Sequence, residues 1–365
     1  MKTPSTDFFY LFILGIFTIF PCEAVSDGKL KWYKGNTHTH TTRCNHADTS
    51  PEDVTKWYHD HGYHFLVLSE HNVFIDPKKV AMPTNARKDF ILIPGEEITG
   101  QKHIHTTAMN IEKFIPFQYK NRYNHQHEII QSHVHETKKA GGHAILNHPN
   151  FQNALGAKDI LPVEDLYLFE LYNAHPTVKN FGGQGQVSTE DLWDSLLTAG
   201  KTVYGVSSDD AHTFKKLSKK DSNPGRGWVM VQSASLTPDS ITHAMTHGQF
   251  YSSNGVILKD VSHNLKSYSI IIDETATLKQ LEAKNLHGHI IPKKNVVPGF
   301  QIQFIGLSGG SLKIEKNIIE TRFPIVDQVY VRAKITYTRI LENGSGEAFY
   351  AWTQPQFCDQ RKNDH

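Results

Sequence analysis

The chain has 365 residues, of which 38% are hydrophobic, so it is long enough to bury one large core and a smaller one. Its 38 Lys and Arg residues nearly balance its 37 Asp and Glu residues, and the net charge of +1 provides no basic field for nucleic acid. Beyond the N-terminus no run of about 20 apolar residues is present, which excludes a membrane span in the rest of the chain.

The first 24 residues are predicted to be a signal peptide. A lysine at position 2 precedes an almost wholly apolar run at residues 8–20, which is too short to span a bilayer, and residues 22–24 (Cys-Glu-Ala) form a plausible cleavage site. The mature chain would begin near Val25 and would be exported, either to the periplasm or out of the cell. The alternatives are an uncleaved signal anchor and a lipid-modified Cys22.

Extended runs alternate with helical runs over the next 230 residues or so. The predicted strands cover residues 34–40, 64–69, 90–94, 104–111, 143–146, 166–172, 202–206 and 228–231. The predicted helices cover residues 50–61, 124–140, 188–199 and 238–247. This alternation predicts an α/β fold built from parallel βαβ units, and so many units favour a barrel over an open sheet. Catalytic groups of such barrels lie at the carboxyl ends of the strands.

The pattern changes near residue 265. Residues 329–337 alternate between apolar and polar side chains, which indicates a half-exposed antiparallel strand, and residues 343–346 form a turn. Residues 301–306 and 311–314 are two further short strands. We therefore predict a metal-binding catalytic barrel at residues 25–264 and a small all-β domain at residues 265–365, with a structural or substrate-holding role.

Histidines and acids follow the strand-like runs in one ordered series. Two histidines at positions i and i+2, such as His38 and His40, point to one face of a strand and can bind one ion together. Imidazole and carboxylate without thiolate suit Zn, Mn or Fe better than Ca or Mg. The predicted ligands, enough for two or three divalent ions, are His38, His40, His46, His71, Glu97, His105, His148, Asp210 and His212.

Two neighbours of these residues leave alternatives open. Glu96 competes with Glu97 as the bridging acid, because the two are adjacent after a strand. Cys44 lies between His40 and His46, so it is either a ligand or a small residue supporting one. If the signal peptide is removed, only Cys44 and the distant Cys358 remain, which is not the pattern of a disulfide scaffold.

The ordered series resembles the polymerase-and-histidinol-phosphatase (PHP) superfamily over residues 34–255, and especially its branch containing carbamate-ester hydrolases. The motifs that carry the resemblance are Asn36-Thr37-His38-Thr39-His40, Trp57-Tyr58, His61-Gly62-Tyr63, Phe65-Leu66-Val67-Leu68, Pro94-Gly95-Glu96-Glu97, Ile145-Leu146-Asn147-His148-Pro149 and Gly227-Trp228. The resemblance implies a distorted (β/α)7 barrel with a trinuclear metal site. It distributes the ligands as a first group of His38, His40, Glu97 and Asp210, a second of Glu97, His105 and His148, and a third of His46, His71 and His212.

Three functions are compatible with this pattern. The first is elimination of water from a terminal uronate of an oligosaccharide, since the leader and the β domain resemble secreted PHP proteins of polysaccharide-degrading bacteria, some of which are such dehydratases. The second is metal-assisted hydrolysis of a phosphomonoester or of a carbamate or carboxyl ester. The third is a metal-binding module without catalysis. We expect the first, on a small-molecule or oligosaccharide substrate, and predict as its further catalytic residues His103, His175, Tyr172 and Tyr204.

Overall fold

The computed structural model describes residues 29–82, 88–116, 123–152, 155–183, 185–264, 266–325 and 327–357. The predicted signal peptide and Cys358 lie outside the described residues. Within these ranges no helix combines the length and apolar character needed to cross a bilayer.

The first part of the chain contains both strands and helices, as predicted, but among the described residues no α-helix separates the strands that lie between residues 65 and 109. Its strands are β1 (Lys31–Asn36), β2 (Phe65–Val67), β3 (Ile91–Ile93), β4 (Gly95–Thr99), β5 (His105–Met109), β6 (His143–Leu146), β7 (Leu168–Asn173), β8 (Tyr204–Ser208), β9 (Trp228–Ser233) and β10 (Phe250–Ser253). Its helices are α1 (Pro51–Asp60), α2 (Gln126–Lys139), α3 (Ala157–Ile160), α4 (Thr189–Thr198) and α5 (Pro238–Thr246).

Local sequence signals explain where these helices start. The hydroxyls of Ser50, Ser188 and Thr237 accept hydrogen bonds from backbone N–H groups of the first turns of α1, α4 and α5, and so satisfy donors that a helix cannot satisfy itself. Helix α1 is followed by Gly62, which has φ +74° in the left-handed region that favours glycine.

The strands of this part form two sheet segments rather than one set of parallel units. One is a five-stranded sheet of order β4-β5-β6-β7-β8, in which β4, β5 and β6 pair antiparallel and only β6, β7 and β8 pair parallel. The other has the order β10-β9-β1-β2-β3, with parallel pairs only among β1, β2 and β3. The predicted parallel pairing is therefore present only among β6, β7 and β8 and among β1, β2 and β3.

The two segments meet at the carboxyl ends of their strands. Single parallel bridges join Thr39 to Ala211 and His71 to Glu97, and the chain passes from β3 into β4 across Pro94. A closed barrel of seven units is not confirmed, because the two joints are isolated bridges and the described residues contain six α-helices, one of them only four residues long.

The last third of the chain is mostly antiparallel sheet. Its strands are β11 (Leu258–His263), β12 (Ser267–Ile272), β13 (His289–Ile291), β14 (Gly299–Ile305), β15 (Ser311–Lys316), β16 (Glu320–Pro324), β17 (Tyr330–Ile340), β18 (Gly346–Thr353) and β19 (Gln356–Phe357), and its helix is α6 (Glu274–Gln280). Strand β18 pairs with β10, so one 11-stranded sheet runs through both predicted domains. The predicted boundary at residue 265 falls between β11 and β12, which pair with each other.

A buried ion pair fastens the two parts together. Arg332 of β17 is 1% exposed and donates to both carboxylate oxygens of Asp194 on α4, from Nε at 2.8 Å and from Nη2 at 2.6 Å. Glu190, one helical turn earlier, lies 3.3 Å from Arg332 Nη1 and 2.5 Å from Lys334 Nζ. Such fork-shaped pairs are strong and strongly directional.

Candidate metal centre

The predicted ligands come from different strands but lie at one edge of the fold. His38 and His40 follow β1, His148 follows β6, and Asp210 follows β8. His105 is the first residue of β5 rather than a residue after it, and it reaches the same edge because β5 runs antiparallel to β4 and β6. The strand directions therefore explain why this one ligand precedes its strand.

Glu97 lies at the middle of the cluster and is fully buried. Five imidazole nitrogens surround its carboxylate. Oε1 lies 3.1 Å from His105 Nδ1, 3.4 Å from His38 Nε2 and 3.4 Å from His148 Nε2, and Oε2 lies 2.8 Å from His71 Nδ1 and 3.5 Å from His40 Nε2. Oε2 makes no hydrogen bond of good geometry with the described residues. A carboxylate placed in this way can bridge two cations.

Asp210 completes a second group of ligand atoms. Its Oδ1 lies 3.3 Å from the Nε2 atoms of both His38 and His40, which are themselves only 3.1 Å apart. A further group contains His40, His71 and His212, whose ligand atoms lie within 4.8 Å of one another. His46 joins this group through its Nε2, which is 2.9 Å from His212 Nε2.

In His46 and His212, a hydrogen bond at Nδ1 determines that Nε2 is the nitrogen that faces the cluster. Nδ1 of His46 lies 2.8 Å from the Cys44 carbonyl oxygen, and Nδ1 of His212 lies 2.9 Å from the Asp210 carbonyl oxygen. A carbonyl oxygen only accepts, so both Nδ1 atoms carry hydrogen, and in the neutral rings the two facing Nε2 atoms then present lone pairs to each other at 2.9 Å. Two such lone pairs repel unless a cation lies between them, so these residues fit a metal ion.

His38 is oriented in the same way by Glu170, a residue that the sequence analysis did not single out. Glu170 is buried in β7, and its Oε1 lies 2.8 Å from His38 Nδ1. Its Oε2 accepts from the backbone N–H of His148 and from Asn173 Nδ2, both at 2.7 Å. Carboxylates behind a histidine ligand set its tautomer and increase its basicity. The signal in the sequence was a single acid inside the apolar run of residues 166–172.

Cys44 contacts the cluster from outside. Its Sγ lies 3.0 Å from His40 Nδ1 and donates a hydrogen bond to the Glu70 carboxylate. Burial, with Glu70 nearby, raises the pKa of the Cys44 thiol, which keeps it protonated. Sγ contacts Nδ1 of His40, whereas the Nε2 atom of that ring faces His38, Glu97 and Asp210, and this geometry favours the supporting role for Cys44.

The two candidate bridging acids point in opposite directions, because neighbouring side chains of a strand alternate. Glu97 faces the histidines, whereas Glu96 accepts from the backbone N–H of Ile115 at 3.2 Å beside an apolar cluster that includes Ile98 and Ile115. Burial raises the pKa of Glu96 to about 8. The geometry thus favours Glu97 as the bridging residue.

The charges of the cluster depend on one another. Burial alone would raise the pKa values of Glu97 and Asp210, but the surrounding histidines outweigh it and hold both pKa values well below their ordinary range. Burial alone would lower the pKa of His38, but Asp210 and the two glutamates beside it raise that pKa well above its ordinary value. Buried carboxylates therefore stay ionised and require positive charge, which a proton or a divalent ion would supply.

Two predicted ligands have left-handed backbone conformations, which residues other than glycine rarely adopt. His148 has φ +23° and Asp210 has φ +49°. Such conformations cost on the order of 1–3 kcal/mol each and concentrate at functional sites. The Asp210 loop is held by backbone bonds from Asp210 N to the His38 carbonyl and from His40 N to the Ala211 carbonyl, both at 2.9 Å.

The cluster opens into a cavity of about 370 Å³, and the four further residues predicted as catalytic differ in their relation to it. Only His175 lines it. Tyr172 is buried against Trp352 in a separate cavity, and Tyr204 begins β8, at the opposite end of that strand from Asp210. His103 is exposed in the β4–β5 connection and does not line the cavity. The structure thus does not bring Tyr172, Tyr204 or His103 to the cluster of predicted ligands.

His175 has a defined tautomer. Its Nδ1 lies 3.3 Å from the Thr177 backbone N–H and 2.8 Å from the Thr177 hydroxyl. Since the backbone N–H only donates, Nδ1 is the accepting nitrogen and the ring proton is on Nε2. Burial lowers the pKa of His175, so the imidazole is neutral. Its ring centroid lies 5.8 Å from that of His212, beside the cluster.

No family model and no curated protein matches the chain. Among solved structures it is similar to a two-domain protein from Bacteroides vulgatus ATCC 8482 described as containing a predicted PHP-like metal-dependent phosphoesterase. The TM-score is 0.46 at 14% identity, and the match covers 88% of this chain and 95% of the other. A similarity of this size carries no conclusion about activity, so the function is argued from the site itself.

Proposed function

We propose that the protein is a metal-dependent hydrolase that cleaves a phosphomonoester or a related ester. The observation that carries this proposal is the pair of facing Nε2 atoms of His46 and His212, beside the carboxylate of Glu97 among five imidazoles. Two or three ions of the Zn, Mn or Fe type suit these ligands. When bound, such ions lower the pKa of water and stabilise negative charge on the reacting group.

The protein residues orient the predicted ligands and supply a hydrogen-bond donor. Glu170 holds His38, and the Cys44 carbonyl holds His46, so the ligand nitrogens are aligned before any ion arrives. His175, as a neutral imidazole with its proton on Nε2, is placed to donate a hydrogen bond to the oxygen of a leaving group.

Elimination of water from a uronate-ended oligosaccharide is the second candidate, and His175 is the observation that favours it. Elimination requires the departing hydroxyl to be stabilised, and a neutral imidazole that lines the cavity and is not a predicted ligand can donate a hydrogen bond to it. Tyr172, Tyr204 and His103 offer no base at the cluster, so this reaction would need a base from elsewhere in the cavity. Hydrolysis needs no such group and is therefore preferred.

The deciding experiment is product analysis with purified protein loaded with Zn, Mn or Fe. It is incubated with an aryl phosphate, an aryl ester and uronate-ended oligosaccharides, and products are followed by released phosphate or phenol, mass spectrometry and absorbance of a conjugated enoate. Release of phosphate or phenol supports hydrolysis, whereas loss of water from the sugar with a new double bond would replace our first proposal by the second. If no substrate turns over while metal binds fully, both proposals fail and a non-catalytic metal-binding module is left.

His175→Leu, which removes the hydrogen-bond donor, separates the proposed role of His175 in turnover from a structural role. We expect turnover to fall by a factor of roughly 10²–10³, as the loss of one such donor costs, with unchanged metal content. A variant at the exposed His103 serves as the control and should retain activity. We further propose that the fold is a distorted barrel, which the Thr39–Ala211 and His71–Glu97 bridges support, and that the protein is exported, which N-terminal sequencing of the mature form would test.

A further inference from the structure

Lys220 stands apart from the other groups around the metal cavity. It is the one Lys or Arg among the described residues that line this cavity. Its side chain is exposed, and it makes no ion pair with the described residues. A cation without a partner at the mouth of a cavity is available to bind an anion from solution.

The loop that carries Lys220 is held rigidly. Arg226 is 5% exposed and donates from its guanidinium to the carbonyl oxygens of Ser218 at 2.8 Å and Asp221 at 2.7 Å. Asn223 is fully buried, accepts from the Ser218 backbone N–H at 2.9 Å and donates to the Lys216 carbonyl at 2.7 Å. Because these bonds hold residues both before and after Lys220, the backbone of Lys220 has a fixed position before any ligand binds.

The same loop is bonded directly to the metal ligands. Ser222, two residues after Lys220, donates from its hydroxyl to the Asp210 carbonyl, and its own carbonyl accepts from the backbone N–H groups of His212 and Thr213, both at 2.9 Å. Two residues of extended chain span at most about 7 Å. Lys220 is therefore fixed close to the cluster without being one of its ligands.

We propose that Lys220 binds a second anionic group of the substrate, at a position separate from the group that reacts at the metal cluster. The proposal rests on the proposed function for the reacting group and adds the substrate class: a small molecule or chain end that carries two anions, such as a phosphate ester that also bears a carboxylate, sulfate or second phosphate. Asp221 lies beside Lys220 in the cavity wall but accepts from the Ser218 hydroxyl at 2.8 Å, so it is already engaged within the loop.

The test compares ligands with one and two anions. Metal-loaded protein is titrated by calorimetry with phenylphosphonate and with its 3- and 4-carboxyl derivatives, which do not react. We expect a carboxyl derivative to bind more tightly to the wild type, by about fivefold, the upper range for one partly solvated ion pair. Lys220→Gln should abolish this preference, and raised salt should weaken it. Lys216→Gln, on an exposed lysine of the same loop that does not line the cavity, should retain it.

Three results would overturn the proposal: no preference in the wild type, a preference that survives in Lys220→Gln, or an equal loss of affinity for all the phosphonates in that variant. The last result would mean that Lys220 contacts the group held at the metals. Hydrolysis of phenyl phosphate and of carboxyphenyl phosphate is measured in parallel. If neither ester turns over, the proposed function fails, while the binding data still decide on Lys220.

Discussion

Replacement of Glu170 by Gln tests whether the buried carboxylate behind His38 controls metal binding. Its two oxygens face four donors, namely His38 Nδ1, Ser208 Oγ, the His148 backbone N–H and Asn173 Nδ2. An amide places an NH₂ group at one of the two oxygen positions. At the Oε2 position the NH₂ group would face the His148 backbone N–H and Asn173 Nδ2, both at 2.7 Å, and these groups donate and cannot accept. The NH₂ group should therefore take the Oε1 position.

This choice has a chemical consequence for the ligand. An NH₂ group facing His38 Nδ1 at 2.8 Å favours the tautomer in which Nδ1 accepts and Nε2 carries the hydrogen. Nε2 is the atom that lies 3.3 Å from Asp210 and 3.4 Å from Glu97, so this tautomer removes His38 from the ligand set. Loss of such support typically costs about 10–100-fold in metal affinity, or roughly 1.4–2.8 kcal/mol.

The assay is metal content by mass spectrometry after dialysis against buffers of graded free Zn²⁺, with thermal unfolding measured in parallel. Glu164→Gln, at an exposed glutamate, is the matched control. Wild-type affinity and stoichiometry in Glu170→Gln would refute the argument from tautomers. A variant that unfolds at lower temperature but binds metal normally would assign Glu170 a packing role alone.

Three further outcomes follow from the structure. His212→Ala should lose a single ion rather than the whole cluster, because His38, His40, Glu97 and Asp210 remain; simultaneous loss of all metal would contradict separate ion positions. Arg332→Met should lower the free energy of unfolding by about 3–5 kcal/mol by leaving Asp194 buried without its partner, whereas the exposed Lys313→Met should change it by less than about 0.5 kcal/mol in denaturant melts. Burial lowers the pKa of His133 from 6.5 to about 3, so below pH 6.5 the unfolded chain binds a proton that the native fold does not, and the free energy of unfolding falls. Between pH 7 and pH 5 the free energy of unfolding of His133→Gln should therefore fall by about 2 kcal/mol less than that of the wild type. An identical pH profile for the two proteins would count against this account.

Sequence periodicity and capping signals predicted the larger helices well. Helix α1 was predicted at residues 50–61 and covers Pro51–Asp60, because an N-cap serine, a proline at the first position and a terminal glycine all act locally. The sequence pattern did not predict β4, so its antiparallel pairing with β5 was not predicted either. The connection around Gln101–His103 is too short for a crossover helix, and a strand predicted at residues 95–99 would therefore have indicated a hairpin.

The ordered series of histidines and acids predicted that the cluster lies at one edge of the fold. This prediction was possible because the strand ends are visible in the sequence. The assignment of individual ligands stays a prediction. The supporting residues were harder to find, since Glu170 reaches His38 only through the spatial neighbourhood of β7 and β1. Tyr204 begins β8, at the opposite end of that strand from the predicted ligands Asp210 and His212, and so does not reach the cluster.

The alternation of Glu96 and Glu97 acts as a check on the alignment of β4. A slip of this strand by one residue would move an ionised carboxylate from the imidazoles into the apolar cluster around Ile98 and Ile115. A slip in one direction would bring Ile98 to the imidazoles and leave them without a carboxylate. A slip in the other direction would bring Glu96 to the imidazoles but would carry Glu97 into the place of Ile98 in the apolar cluster. In both cases a charged side chain loses its partners, so the order of residues 96–98 favours a single alignment of the strand.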